Sequence, residues 1–272
     1  PDVTAPGVEI LAAFSPMASP SRVDSDDRSF QYSIMSGTSM SCPHVAGAAA
    51  YVKSLHPDWS PSAIKSALMT TETDGVCNFG PTLTKPYFSF VCIARRMNVK
   101  HNQDAEFAYG SGHIDPVKAA NPGLVYETMQ EDYIKMLCGL RSDTSTLRKL
   151  FGGKVNCYEE FKINPKDLNY PSMAINIATF QLSNIIILFS EKFTRTVTNV
   201  GRANSTYKAK TSIRSDYSIN VNPSILTFGE LNEKKTFEVT INGKYTGNII
   251  SAALEWSDGV HNVRSPIVVY TN

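Results

Sequence analysis

Ser36-Gly37-Thr38-Ser39-Met40-Ser41-Cys42-Pro43-His44-Val45-Ala46-Gly47 places a serine at the start of a small-residue, apolar segment. Gly37 is expected to let the backbone turn sharply into a helix, with Thr38 as its cap. The free N–H groups of the first turn then raise positive potential beside Ser39, and its own N–H is a donor for developing negative charge. Pro43 falls early in the helix, where a missing N–H costs least. Val45, Ala46, Gly47, Ala48, Ala49, Ala50 and Val52 leave little polar surface on any side, which predicts a helix buried within a core. Ser39 is therefore expected at the inner end of a central helix. An isolated Gly-Thr-Ser is usually an ordinary helix start; the length of the surrounding pattern makes Ser39 a candidate nucleophile.

A serine hydroxyl is a weak nucleophile until a positioned base takes its proton, and a third group must orient that base. No histidine lies between Pro1 and Ser39. His44, five positions further on, points about 140° around the helix from Ser39 and is expected to be a packed, hydrogen-bonded residue. His56 precedes Pro57 in a turn, and His101, His113 and His261 are read as structural or surface residues. Asp24, Asp26 and Asp27 form an acidic loop read as solvated. No metal and no cofactor is assigned.

Composition bounds the remaining classes. The chain has 272 residues, 42% hydrophobic, and a formal net charge of +1, enough length for two domains. Its basic residues are scattered without aromatic interleaving, which argues against nucleic acid. The apolar run Ile185-Ile186-Ile187-Leu188-Phe189 is far short of the roughly 20 residues a membrane helix needs, and is expected to be a strand. Of five cysteines, Cys138 and Cys157 are spaced to close a short loop, a weak secretory signal. Cys42 is expected to be a buried small residue. Asn204-Ser205-Thr206 is an N-glycosylation sequon in a turn-like stretch.

Two halves differ in pattern. Ser60-Pro61 opens a second helix, with Ile64, Ala67 and Leu68 at helical spacing, expected to pack beside the Ser39 helix. From about Asp167 the pattern alternates, as in Phe237, Val239, Ile241 and in Ala252, Leu254, Trp256, which predicts an antiparallel sandwich.

The segment around Ser39 resembles the nucleophile motif of the subtilisin family of serine proteases, and the cucumisin-like plant subtilases in particular. Pro1-Asp2-Val3-Thr4-Ala5-Pro6-Gly7-Val8, Phe107-Ala108-Tyr109-Gly110-Ser111-Gly112-His113 and Asn121-Pro122-Gly123-Leu124-Val125-Tyr126 resemble other parts of that catalytic domain. Asp167-Leu168-Asn169-Tyr170-Pro171-Ser172, Phe193 to Gly201 and Trp256 to Val269 resemble the fibronectin-III-like domain those enzymes carry. The resemblance implies an α/β fold, the C-terminal part of a subtilisin-like parallel-sheet domain, over residues 1–137. A linker over 138–166 and an all-β fibronectin-III-like sandwich over 167–272 complete it. It implies a secreted endopeptidase acting on polypeptides through an acyl-enzyme on Ser39, with neither nucleic-acid nor membrane partner.

In that family the chain order is Asp, His, Ser, so the catalytic Asp, the His and the oxyanion Asn are expected before Pro1, in a missing N-terminal half. The chain is accordingly expected to be inactive alone, with the first half unstable by itself and the sandwich able to fold. Its alternative role is a non-catalytic protein-binding or regulatory module. One segment departs from the family pattern: Asp74 to Arg96 reads as an insertion of the kind that translated intron sequence would give, and Thr179 to Ser190 shares that character more mildly.

Overall fold

Helix α1 spans Thr38–Leu55 and helix α2 spans Pro61–Thr70. The computed structural model describes residues 1–21, 23, 25–71, 102–140, 144–151, 155, 157, 161–177, 187–213, 215–245 and 247–271. The segment 74–96 and residues 179–186, including Ile185 and Ile186, lie outside them. Helix α2 starts as its sequence indicates. The Ser60 hydroxyl accepts from the Ala63 N–H at 3.1 Å, and Pro61 occupies the first helical position. Ala63, Ile64, Ala67 and Leu68 are buried against Ala48 and Val52 of α1, so the two helices pack as expected.

The expected burial of α1 on all sides does not occur. Only Ala48 and Val52 are buried; Ala46, Gly47 and Ala50 are exposed, as are Tyr51 at 45% and Leu55 at 50%. Among the described residues, α2 and the short helix α4 (Pro116–Ala119) cover one face and leave the other open. Strands β1 (Ile10–Ala13) and β2 (Tyr32–Met35) pair antiparallel, with Leu11, Tyr32, Ile34 and Met35 exposed. The parallel pairing expected of this half is limited, among the described residues, to one bridge between Thr4 and His113.

The second half is a two-layer sandwich. One sheet orders β4 (Met173–Asn176), β11 (Asn262–Tyr270), β10 (Ile250–Ser257), β6 (Ser205–Ser212) and β8 (Ile225–Phe228). The other orders β3 (Leu124–Tyr126), β5 (Ile187–Asn199), β9 (Lys234–Tyr245) and β7 (Tyr217–Asn222). Phe237, Val239 and Ile241 of β9 and Ala252, Leu254 and Trp256 of β10 fill the space between them. The Phe237 and Trp256 rings meet edge to face at 5.0 Å. The sandwich is antiparallel except that β4 runs parallel to β11. Ile187, Leu188 and Phe189 open β5, the strand read from that apolar run.

Between the halves, α5 (Gln130–Gly139) and α6 (Thr144–Phe151) hold a small core of Cys138, Leu147 and Val155. Cys138 and Cys157 form the disulfide their spacing allowed, with Cα atoms 5.3 Å apart.

The halves are joined by side chains as well as by chain. Glu106 in α3 (Glu106–Tyr109) accepts a hydrogen bond from Ser251, Tyr170 donates to Asp2, and Arg264 donates to the Ser111 carbonyl at 3.2 Å. The Phe107 and Tyr270 rings also meet edge to face, at 4.8 Å.

Candidate active site

Ser39 is the second residue of α1, exposed, and its hydroxyl has no hydrogen-bond partner among the described residues. Helix geometry leaves the Thr38 and Ser39 N–H groups without intrahelical acceptors, so both are available to an anion at the helix start.

The helix start is built differently from the sequence reading. Gly37, not Thr38, is the cap, and no side chain caps the helix. Gly37 is also extended, with φ 160° and ψ 168°, so no left-handed turn requires glycine there. The glycine that matters is Gly7. A Cβ there would lie 2.1 Å from Ser41 Oγ and 2.9 Å from the Gly37 carbonyl oxygen, an approach closed to any other residue.

Around Gly7 the segment Ala5–Glu9 holds the helix start at three points. The Gly37 N–H donates to the Gly7 carbonyl at 2.7 Å, the Ser41 hydroxyl to the Ala5 carbonyl at 3.0 Å, and the Glu9 N–H to the Ser36 hydroxyl at 2.8 Å. That segment is anchored in turn. The Thr4 N–H donates to the Gly112 carbonyl at 2.7 Å, and the Thr4 hydroxyl to the Tyr109 carbonyl at 3.0 Å. Gly110, at φ 65°, passes so close to Asp2 that a Cβ would sit 2.4 Å from its carbonyl carbon. Three sequence stretches, 1–9, 36–47 and 107–114, thus converge to fix the backbone beneath Ser39.

Pro43 costs more than its early position implied. It lies four residues after Ser39, so the donor it lacks is the one that would serve the Ser39 carbonyl. Cys42 is exposed rather than buried, on the open side of α1.

Every described histidine is committed elsewhere. His44 is exposed, not packed, and its Nδ1 lies 2.8 Å from the Met40 carbonyl oxygen. His56 Nε2 lies 2.7 Å from the Ala120 carbonyl oxygen, with its ring stacked on Trp59 at 3.8 Å. His113 Nδ1 is 3.2 Å from the Ile114 carbonyl oxygen, and the buried His261 Nδ1 is 2.8 Å from Asp258 Oδ2. His101 lies outside the described residues. In the acidic loop, Asp26 is bound by Arg28 at 2.7 Å and by the Ser21 hydroxyl at 2.6 Å, which hold its carboxyl well below the usual carboxylate range. Asp24 is outside the described residues.

A cavity of about 230 Å³ lies between the halves, lined by Asp2, Met69, Glu106, Ser111, Met173 and Val268 among others. Ser39 is not part of its lining. Burial pushes the Glu106 carboxyl up, against the opposing pull of the Ser251 hydrogen bond and of Arg264.

The supporting residues Ser36, Ser41, Gly7 and Glu9 were not marked as site residues by sequence reading. A pair of hydroxyl residues flanking the serine, and an Ala-Pro-Gly turn upstream, were the only local signals.

An exposed serine thus stands at a helix start on a clamped backbone, in a chain whose second half is a β-sandwich. Residues 1–112 match the family model of the subtilase family, and residues 167–269 match that of a fibronectin type-III domain. The chain is 52% identical over 276 residues to Subtilisin-like protease SBT4.3 of Arabidopsis thaliana, covering 100% of this chain and 34% of that protein. It is 48% identical to Subtilisin-like protease SBT4.9 of the same plant over 277 residues, covering 100% of this chain and 35% of that protein. The chain thus spans about a third of the length of the curated relatives it matches. Among solved structures, a FixG-related protein from Vibrio parahaemolyticus is 12% identical with a TM-score of 0.27, covering 30% of this chain and 79% of that one, too slight a likeness to bear on the fold.

Proposed function

We propose that the chain is the nucleophile-bearing part of a plant subtilisin-like serine endopeptidase, with residues 1–137 from its catalytic domain, 138–166 as linker and 167–272 as its fibronectin-III-like domain. The observation that carries this reading is the exposed Ser39 hydroxyl, without a partner among the described residues, on the clamped start of α1. Ser39 Oγ attacks the carbonyl carbon of the scissile peptide bond while a histidine outside this chain takes its proton. The Ser39 N–H then helps hold the oxyanion, and the same histidine returns the proton to the leaving amine. Water releases the acyl group in the second half of the cycle.

Among the described residues no histidine takes the base's role: each is tied to another partner, and none hydrogen-bonds the Ser39 hydroxyl. Loss of triad partners from a subtilisin lowers turnover by about 10⁶-fold, so the isolated chain is expected to be inactive. The exposed apolar side chains Val8, Leu11, Phe30, Tyr32, Ile34, Met35, Tyr51 and Leu55 support a face against which the rest of a catalytic domain packs. The Cys138–Cys157 disulfide supports an oxidising, secretory location. The same open face favours a second reading, a non-catalytic module that binds another protein.

The test is peptide hydrolysis by a chimera in which this chain replaces the matching third of Subtilisin-like protease SBT4.3. Cleavage of a quenched peptide, abolished by Ser39→Ala, is expected. A folded, secreted chimera without Ser39-dependent cleavage favours the binding module.

A further inference from the structure

We propose that Asn204 is an N-glycosylation site, taking an oligosaccharide at the turn that leads from β5 into β6. Asn204-Ser205-Thr206 has the acceptor spacing with no proline between. The fold leaves Asn204 and Thr206 exposed, with the Thr206 hydroxyl donating to the Thr227 hydroxyl at 3.3 Å. Asn204 is exposed at φ 56°, in the left-handed region where a single asparagine is tolerated, and its side-chain amide makes no hydrogen bond to any described residue. Ser205 turns inward at 8% exposure as β6 begins, so Asn204 and Thr206, on either side of it, face solvent together.

Two other asparagines show that the corner discriminates. Asn199, five residues earlier, is fully buried, and its amide donates to the Arg202 carbonyl at 2.8 Å and the Glu230 carbonyl at 3.1 Å. Those bonds hold the turn rigid and leave Asn204 at its outer end, where its N–H donates to the Gly229 carbonyl at 3.3 Å, beside the end of edge strand β8. Bulk added there meets solvent rather than core. Asn222-Pro223-Ser224 has the same spacing, but Pro223 disqualifies it.

In the transfer, Asn204 Nδ2 forms a bond to the anomeric carbon of a polyprenyl-diphosphate-linked oligosaccharide. The anomeric C–O bond breaks, the polyprenyl diphosphate leaves with the electron pair, and Nδ2 gives up one proton. The proposal does not depend on the role of Ser39, and its test reads sugar rather than peptidase activity.

The whole chain, directed into the secretory pathway of plant cells by an added signal sequence, is recovered from the secretory lumen and the medium and digested with trypsin. Cleavage after Arg202 and Lys208 isolates Ala203–Lys208. Most copies of this peptide are expected to carry an N-acetylhexosamine-based glycan, released by a peptide N-glycanase in heavy-oxygen water to leave labelled aspartate at position 204. Thr206→Ala, which keeps Asn204, is expected to abolish the modification, and the Asn222 peptide to stay bare. An unmodified Ala203–Lys208 peptide, or a glycan that persists on Asn204 in Thr206→Ala, overturns the proposal.

Discussion

Tyr126 Oη and Ser265 Oγ lie 2.7 Å apart, with Tyr126 only 1% exposed and Ser265 fully buried. The Tyr126 N–H also donates to the Ser66 hydroxyl at 2.9 Å, so one residue ties α2 to β3 and β3 to β11. Burial pushes the Tyr126 phenol up to about 12, and the hydroxyl stays protonated throughout the working range. Tyr126→Phe keeps the ring but strands the Ser265 hydroxyl in a dry site. A loss of about 1–3 kcal/mol is expected in denaturant unfolding of the chain, with Tyr126→Phe/Ser265→Ala recovering part of it.

Glu106 gives the junction of the halves a pH dependence of defined sign. Its folded pKa is raised above the unfolded value near 4.5, so the folded state holds the proton more tightly. The stabilisation is fully present below the unfolded pKa and is lost as pH rises through the folded pKa. Melting temperature measured from about pH 4 to pH 8 is therefore expected to fall with pH more steeply in the natural chain than in Glu106→Gln. Equal slopes would remove Glu106 from the account of the junction.

The Cys138–Cys157 bridge closes a separation of 19 residues around the small core of Leu147 and Val155. A loop of that size corresponds to about 3 kcal/mol in the chain-entropy view. Cys138→Ser/Cys157→Ser is expected to speed amide exchange in α6 strongly while exchange in β9 stays slow.

Strand β3 alters where the stable unit begins. Leu124 and Tyr126 are buried in the sandwich core, and β3 pairs with β5 along Leu124↔Asn199 to Tyr126↔Val197. A piece starting at residue 167 loses both side chains, each worth about 1.5–3 kcal/mol of apolar burial, and bares the edge of β5. Residues 122–271 are expected to resist proteolysis and unfold cooperatively, whereas 167–271 unfolds at clearly lower denaturant. Identical midpoints for the two pieces would contradict this.

Local patterns carried the parts of the structure that depend on neighbours in sequence. Ser60-Pro61 dictated the start of α2, and the alternation in β9 and β10 gave the inner faces of the sandwich. Burial of α1 was misjudged because an all-apolar helix says what can be covered, not what is present to cover it. Thr38 and Gly37 were given the wrong duties because their roles depend on Gly7 and Ser41, a tertiary contact without a local signature. β3 escaped notice because its three residues are too few for periodicity, and its partner lies more than seventy positions away. Ser39 was singled out by resemblance to a known motif, and the amide environment at the helix start follows from backbone geometry alone.

Fluorophosphonate labelling, read by mass spectrometry of the peptide containing Ser39, tests the central claim most directly. Applied to this chain alone and to the chimera with Subtilisin-like protease SBT4.3, it is expected to leave the isolated chain bare and to modify Ser39 in the chimera. Ser39→Ala should abolish that label. A folded chimera labelled equally with and without Ser39, or an isolated chain labelled at Ser39 as fast as the chimera, would contradict a nucleophile that depends on a base from outside this chain.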